Sequence, residues 1–167
     1  MELHLLRHGI AVMRDDLDYE RDAERPLTPK GKRQLRWIAA AMKNMGLRFD
    51  LIFSSPYVRA RQTAEIVAKA IKGQKKLAFS DELIPSGNPQ VLIQQLNAAH
   101  AKASVVLLVG HEPYLSHLIS LLTTGRPDLA MDFKKGGLCK LEIEKLGHGR
   151  CATLAWLLTP RQMKLMV

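Results

Sequence analysis

The sequence predicts an α/β fold in which helices cover a mostly parallel sheet. Apolar runs suited to buried strands alternate with amphipathic segments suited to helices along most of the chain. Near the C-terminus apolar and polar residues alternate strictly, which is typical of paired strands at a sheet edge. A length of 167 residues, with 47% hydrophobic and 25% charged residues, fits one globular domain, and we predict that residues 1–167 form it.

Residues 1–46 are predicted to form a strand, a long loop and a helix. The strand is expected over Glu2 to Leu6. The irregular segment from Ile10 to Leu27 is the longest loop, and loops of this length tend to border functional sites. Thr28-Pro29 supplies an N-cap and a first-turn proline for the helix that follows, which Gly46 ends.

A second strand and helix follow in the same order. Asp50 to Phe53 is predicted to be a strand, and Ser55-Pro56 opens a helix that stops at Gly73. Leu77 to Phe79 is a candidate third strand.

The next segment contains the most apolar strand. Asn88-Pro89 caps a helix that runs to about Ala99. Ser104 to Val109 is a near-continuous apolar run, which is typical of a central parallel strand. A helix is predicted from Pro113 to about Leu122.

The C-terminal pattern predicts two edge strands. Cys139, Leu141 and Ile143 alternate with charged residues, and a second run extends from Cys151 to Leu158. The two cysteines make no disulfide framework, so buried, reduced thiols are expected, and a single bridge between them stays open.

The net charge of +9 favours an anionic partner, which leaves phosphate, an acidic protein or nucleic acid. Nucleic acid is not expected, because no recognition motif is present and aromatic residues make up only 5% of the chain. No run approaches the roughly 18 consecutive apolar residues of a membrane helix, and no secretory signal is present. We therefore expect a cytoplasmic protein that does not enter a membrane.

No metal or other cofactor is expected. The histidines show no carboxylate or cysteine spacing typical of a ligand set, and the nearby arginines would repel a cation. These histidines are His4, His8, His100, His111, His117 and His148.

Three segments place His or Arg at the carboxyl end of a predicted strand, where open α/β sheets bind ligands. The first is Leu6-Arg7-His8-Gly9. Arg7 offers a planar donor fork for phosphate, and neutral His8 offers a nucleophilic lone pair. Gly9 is expected to let the backbone approach a ligand closely. By itself this short motif fits a polar turn equally well.

The second and third segments supply further donors. Ser54 to Ala64 puts Arg59 in the first turn of a helix, where free N–H groups and the dipole favour anions, whereas Arg61 is expected on the exposed face. Gly110-His111-Glu112-Pro113 follows the buried strand and offers an imidazole. Together they predict a phosphoryl site around His8.

These three segments resemble, in order and spacing, the motifs of the histidine phosphatase (phosphoglycerate mutase-like) superfamily, and the match spans most of the chain. Arg25 to Gly31 and the short length resemble the SixA branch, whose members are phosphohistidine phosphatases. The resemblance implies a three-layer α/β/α sandwich with an antiparallel C-terminal edge. It implies that His8 is the phosphorylated nucleophile and that Arg7, Arg59 and His111 bind the phosphate.

The resemblance leaves the proton donor open, because larger members supply a Glu or Asp from the sheet edge or just after the second histidine. Glu82 and Glu112 are the candidates. Glu112 is expected to be the weaker one, because the helix dipole favours the ionised form of a carboxylate at the start of a helix. Lys134-Lys135-Gly136-Gly137 could offer N–H groups near the site, although a solvated turn is the preferred interpretation.

We therefore predict a phosphatase that acts through a phosphohistidine enzyme intermediate. The preferred substrate is phosphohistidine on a signalling or phosphotransfer protein, because a compact chain leaves little room for a cap around a small metabolite. Alternatives are a small phosphomonoester, phosphoserine or phosphothreonine, and a non-catalytic phosphate-binding module.

Overall fold

A six-stranded sheet runs through the fold. The computed structural model describes residues 1–13, 15, 21–100 and 103–167. The strands are β1 (Glu2–Arg7), β2 (Leu51–Ser54), β3 (Leu77–Phe79), β4 (Val105–Gly110), β5 (Leu138–Ile143) and β6 (Ala152–Leu158). The helices of five residues or more are α1 (Pro29–Asn44), α2 (Val58–Ala70), α3 (Pro89–His100), α4 (Tyr114–Thr124) and α5 (Pro160–Lys164).

The strand order is β3-β2-β4-β1-β5-β6; the first four strands are parallel to one another, β5 is antiparallel to β1, and β6 is antiparallel to β5. The register pairs Arg7 with Gly110 and Ser54 with Val109. The carboxyl ends of β1, β2 and β4 therefore lie at one level of the sheet. This alignment brings the three motif segments to the same edge.

Alternation along β1 divides its side chains between two hydrophobic cores. Leu3 and Leu5 pack with residues of α3 and α4, whereas Leu6 packs with residues of α1 and α2 on the opposite face. All three are fully buried, and full burial of a leucine contributes about 2 kcal/mol. The predicted three-layer α/β/α arrangement with an antiparallel C-terminal edge is confirmed.

Several boundaries differ from the sequence prediction. β1 continues to Arg7, and β2 covers Leu51–Ser54, one residue later than expected. The helix after β2 begins at Val58 and not at Ser55-Pro56, because Tyr57 has extended backbone angles. The turn from Ser55 to Tyr57 thus stays outside the helix.

Helix α5 was not predicted. Thr159 begins it with a capping box, in which its hydroxyl accepts the Gln162 N–H and the Gln162 side chain accepts the Thr159 N–H. Met163 is fully buried in the core that includes α1.

Of the predicted loop from Ile10 to Leu27, residues 14 and 16–20 lie outside the described residues. The described part includes a short 3₁₀ helix, Asp22–Glu24. Both cysteines are free thiols, Cys139 buried in β5 and Cys151 just before β6. None of the helices in the described ranges has the length and apolar character needed to cross a membrane.

Candidate active site

A cavity of about 320 Å³ lies at the carboxyl ends of β1 and β4. The four residues predicted to form a phosphoryl site, Arg7, His8, Arg59 and His111, all line it. The other charged residues that line it are Arg25, Glu112 and Lys135.

His8 is held as a neutral imidazole with a defined tautomer. Its Nδ1 lies 2.7 Å from the Gly9 carbonyl oxygen, and because a carbonyl only accepts, Nδ1 carries the hydrogen. The lone pair is therefore on Nε2, which accepts a 3.3 Å hydrogen bond from Arg59 Nε. His8 is only 7% exposed, and burial, followed by the nearby His111 and the arginines, lowers its pKa well below the ordinary value. The structure therefore indicates the neutral form, which a nucleophilic imidazole requires.

Arg59, from the first turn of α2, is bound by a carboxylate that the sequence did not single out. Its Nη2 donates to Asp22 Oδ2 at 2.8 Å and its Nη1 to the Asp22 carbonyl at 2.6 Å. Arg25 donates to the other carboxylate oxygen of Asp22 through Nε at 3.0 Å and Nη2 at 2.5 Å. Although partial burial opposes ionisation, hydrogen bonds from Arg25 and Arg59 lower the pKa of Asp22 to about 2. One carboxylate thus holds two guanidinium groups at the rim of the cavity.

Arg7, the last residue of β1, is fixed by the chain that precedes β5. Its Nη1 donates to the Phe133 carbonyl at 2.7 Å. Its Nε is buried and has no hydrogen-bond partner within the described ranges. A ligand in the cavity is the natural acceptor for such a donor.

The Lys134–Gly137 segment is a turn with exposed lysines, as the sequence predicts, but its buried glycines attach it to the end of β1. The Gly136 N–H is shared between the Arg7 and His8 carbonyls, at 3.1 Å from each. Gly137 donates to the Lys134 carbonyl and accepts from the Arg7 N–H. These glycine N–H groups are therefore already used, and the segment contributes the Lys135 side chain to the cavity lining instead.

His111 is 1% exposed, and its ring centroid lies 5.1 Å from that of His8. Its Nε2 is 2.8 Å from the Ser55 hydroxyl, which also accepts a 3.3 Å hydrogen bond from the Tyr57 N–H. Its Nδ1 is buried and makes no hydrogen bond to any described residue. Burial and then the Arg59 charge lower the pKa of His111 to about 3, which keeps the ring neutral.

Thr63 and Gln62 join the elements of the site, and the sequence analysis assigned them no role. The Gly9 N–H donates to Thr63 Oγ1 at 3.1 Å, and the Thr63 hydroxyl donates to the Arg59 carbonyl at 2.7 Å. Gln62 Oε1 accepts the Leu27 N–H at 2.8 Å. The available signal was that Thr63 follows Arg59 by one helical turn and so shares its buried face.

The packing around Gly9 also requires a glycine. A Cβ at Gly9 would lie 2.7 Å from Leu35 Cδ1, a side chain of α1. The missing side chain therefore makes room for α1.

The two candidate proton donors occupy different places. Glu112 lines the cavity, and its Oε1 accepts the Ser116 N–H at 3.0 Å. Glu82 is not among the residues that line the cavity, and its Oε2 accepts the Asn88 N–H at 2.7 Å, ahead of α3. The sequence argument ranked Glu82 first, whereas the geometry favours Glu112.

His4, His117, His148 and Arg61 are not among the residues that line the cavity. His4 is fully buried, with its ring against Phe49 and Trp156, and His117 is exposed on α4. The His100 side chain lies outside what is described. The described residues contain no group of three or more His, Cys, Asp or Glu that could hold a metal ion. Arg61 is exposed and lies 3.8 Å from Glu65.

Three comparisons with known proteins agree with this geometry. Residues 3–84 match the family model of the histidine phosphatase superfamily (branch 1). An uncharacterized protein of Picosynechococcus sp. is 38% identical over 142 residues, which cover 84% of this chain and 84% of that protein. Phosphohistidine phosphatase SixA of Escherichia coli (strain K12) is 27% identical over 167 residues, 99% of this chain and 98% of that protein. A structure of the protein histidine phosphatase SixA complexed with tungstate has a TM-score of 0.84 at 26% identity, covering 96% of this chain and 98% of that one.

Proposed function

Because this chain belongs to the histidine phosphatase superfamily and is a phosphatase, we propose that it removes phosphate from a phosphohistidine side chain of another protein. We propose His8 as its nucleophile. The observation that carries the proposal is the neutral His8 ring, whose Nε2 lone pair lies in a cavity lined by Arg7, Arg59 and His111. A cytoplasmic signalling or phosphotransfer protein is the substrate that we propose.

In the first step the His8 Nε2 attacks phosphorus and the bond from phosphorus to the substrate nitrogen breaks. The phosphoryl oxygens accept hydrogen bonds from Arg7 Nε and from His111 Nδ1, two buried nitrogens of cavity-lining residues that have no hydrogen-bond partner among the described residues. Arg59 Nε now donates to the lone pair of His8 at 3.3 Å. It transfers this hydrogen bond to a phosphoryl oxygen as phosphorus takes its place.

The leaving group needs little help when it is an imidazole. A phosphohistidine ring that enters protonated on its other nitrogen leaves as neutral imidazole, and no enzyme acid is required. A phosphomonoester would leave as an alkoxide and would need a proton donor. We propose Glu112 for any such proton transfer, because its carboxylate lines the cavity whereas that of Glu82 binds the Asn88 N–H.

In the second step water attacks the phosphorus of phospho-His8. The bond between Nε2 and phosphorus breaks, the lone pair returns to Nε2, and inorganic phosphate leaves. Glu112, which lines the cavity, accepts the proton of the attacking water in this proposal. Arg7 and Arg59 stabilise the charge on the equatorial oxygens in both steps.

The test of this mechanism is to trap the intermediate. The protein is mixed with a labelled phosphohistidine protein, quenched within milliseconds to seconds, and digested. We expect alkali-stable, acid-labile phosphate on the peptide that contains His8, and none in His8→Ala. The matched control is His117→Ala, which removes an exposed histidine of α4 and should keep the intermediate.

Turnover of the wild-type protein without any phosphate on His8 would overturn the mechanism. The substrate class is tested separately, by comparing kcat/KM for the phosphohistidine protein with that for a sugar phosphate and a phosphoserine peptide. A higher value for either of the latter would replace the proposed substrate while leaving the mechanism intact.

A further inference from the structure

A wider groove lies beside the proposed catalytic cavity, with a volume of about 770 Å³. It runs between α1, α5 and the segment before β5. We call it the basic groove, and the side chains that matter for its chemistry are Trp37, Lys134, Lys135, Pro160, Arg161 and Lys164.

The basic groove adjoins the catalytic cavity, because Arg7 and Lys135 line both. Arg7 is also the residue whose Nε is free to bind a phosphoryl oxygen within the described structure. A polypeptide lying in the groove would therefore have its neighbouring side chains next to His8.

Positive charge dominates the groove. Arg161 and Lys164 are exposed on α5 and make no salt bridge with any carboxylate in the described structure. Lys134 pairs with Asp132, the one acidic residue of the lining. Partial burial and then Arg7 lower the pKa of Lys135, which indicates that the positive groups are close together. Such a surface attracts carboxylates.

The groove also contains an apolar contact surface. Trp37 on α1 is half-buried, and Pro160 begins α5 beside it. A tryptophan next to cationic side chains is the usual composition of a surface that anchors a peptide.

We propose that the basic groove docks an acidic segment of the substrate protein, next to its phosphorylated side chain. This proposal rests on the proposed function, in which the substrate is a protein. Carboxylates of the segment pair with Arg161 and Lys164, and an apolar residue packs on Trp37.

The test uses the double variant Arg161→Glu/Lys164→Glu. Both side chains are exposed, so the core packing is unchanged. The control is Lys69→Glu/Lys75→Glu, which makes the same change of charge on two exposed lysines outside the groove. Lys69 is in the last turn of α2, and Lys75 follows that helix. The substrates are a phosphohistidine peptide flanked by glutamates, the same peptide flanked by glutamines, and a small aryl phosphate.

We expect the wild-type protein to prefer the glutamate peptide, and this preference to shrink as salt is added. In the groove variant, kcat/KM for the glutamate peptide should fall about tenfold, which corresponds to two partly exposed ion pairs. Turnover of the aryl phosphate should be unchanged, and the control variant should behave like the wild type with all three substrates.

Equal kcat/KM for the two peptides in the wild-type protein, or an unchanged preference in the groove variant, would overturn the docking proposal. An equal loss of kcat/KM with the aryl phosphate would also overturn the proposal, because Arg161 and Lys164 would then affect the catalytic cavity and not the docking of a peptide. Failure of the proposed function is a different result, in which the wild-type protein hydrolyses the aryl phosphate but neither peptide.

Discussion

The neutral state of His8 has a local cause and a distant one. The carbonyl of the next residue, Gly9, fixes the tautomer at a distance of 2.7 Å, and this contact depends only on the turn after β1. Burial lowers the pKa, and His111 after β4, Arg59 on α2 and the neighbouring Arg7 add to this effect. The turn after β1 therefore determines which nitrogen of His8 has the lone pair, and the packing around the ring keeps it unprotonated.

Ser55 determines which nitrogen of His111 faces a ligand. The Ser55 oxygen accepts the Tyr57 N–H, so its hydroxyl hydrogen is available to donate to His111 Nε2. We assign the hydrogen of neutral His111 to Nδ1, the nitrogen without a partner in the described ranges, and in this assignment the Ser55 hydroxyl donates to Nε2.

We predict that Ser55→Ala lowers kcat/KM for an aryl phosphate by about tenfold, the cost of one misplaced hydrogen bond. Nitrogen-15 NMR of His111 should show that hydrogen moving from Nδ1 onto Nε2 in part of the molecules. Ser55→Thr keeps the hydroxyl, so kcat/KM and the nitrogen-15 resonances of His111 should match those of the wild-type protein. Unchanged His111 resonances in Ser55→Ala would contradict the role of Ser55 as a positioning residue.

At the level of elements, the start of α1 is pressed against the chain that follows His8. The Thr28 hydroxyl accepts the Gly31 N–H at 3.0 Å and donates to the Ile10 carbonyl at 3.2 Å. A Cβ on Gly31 would lie 2.1 Å from that carbonyl oxygen. The helix cap therefore also fixes the loop beside the nucleophile.

We predict that Gly31→Ala destabilises the protein by about 1–3 kcal/mol, because the new methyl group meets backbone and not a flexible side chain. At an open helical position the same substitution would stabilise by about 1 kcal/mol. Urea unfolding measures the difference, with Lys30→Ala in the same helical turn as the control. An increase in stability would show that α1 can move away from Ile10.

Element boundaries were predictable where the signal is local. The Thr28 cap and the first-turn proline located the start of α1. The start of α2 was placed too early, because Pro56 fits both a helix start and the extended turn that the structure contains. That turn brings Ser55 to His111 across the sheet edge, a contact that no local pattern reports.

At the scale of the whole molecule, three buried histidines link stability to pH. Burial lowers the pKa of His4 to about 4 and that of His111 to about 3, and it lowers the pKa of His8 as well. The unfolded chain binds protons at these residues below about pH 6.5, whereas the folded chain does not. The free energy of unfolding therefore falls as the pH drops from about 6.5 towards 4, by up to about 1.4 kcal/mol per pH unit for each histidine.

We predict that His4→Leu reduces this slope by about 1.2 kcal/mol per pH unit between pH 6 and pH 5, because the unfolded state is then largely protonated at this residue and the folded state is not. Urea unfolding at a series of pH values measures it, and His117→Gln, on an exposed histidine, should leave the slope unchanged. An unaltered slope in His4→Leu would mean that His4 is protonated in the folded protein. The prediction that residues 1–167 form one domain is tested by the same curves, which should show a single transition.

The sequence by itself determined the α/β class and the placement of His8, Arg59 and His111 at strand ends. Periodicity, caps and glycines act within a few residues, and parallel strands in one sheet must end at the same edge. Only the tertiary structure decided which side chains complete the site. Asp22 binds Arg59 across 37 residues of sequence, and Thr63 binds Gly9 across 54. Glu112, and not Glu82, lines the cavity. Such partners depend on how loops and helices pack across the sheet. The spacing of residues along the sequence does not predict this packing, because the partners are far apart in the chain.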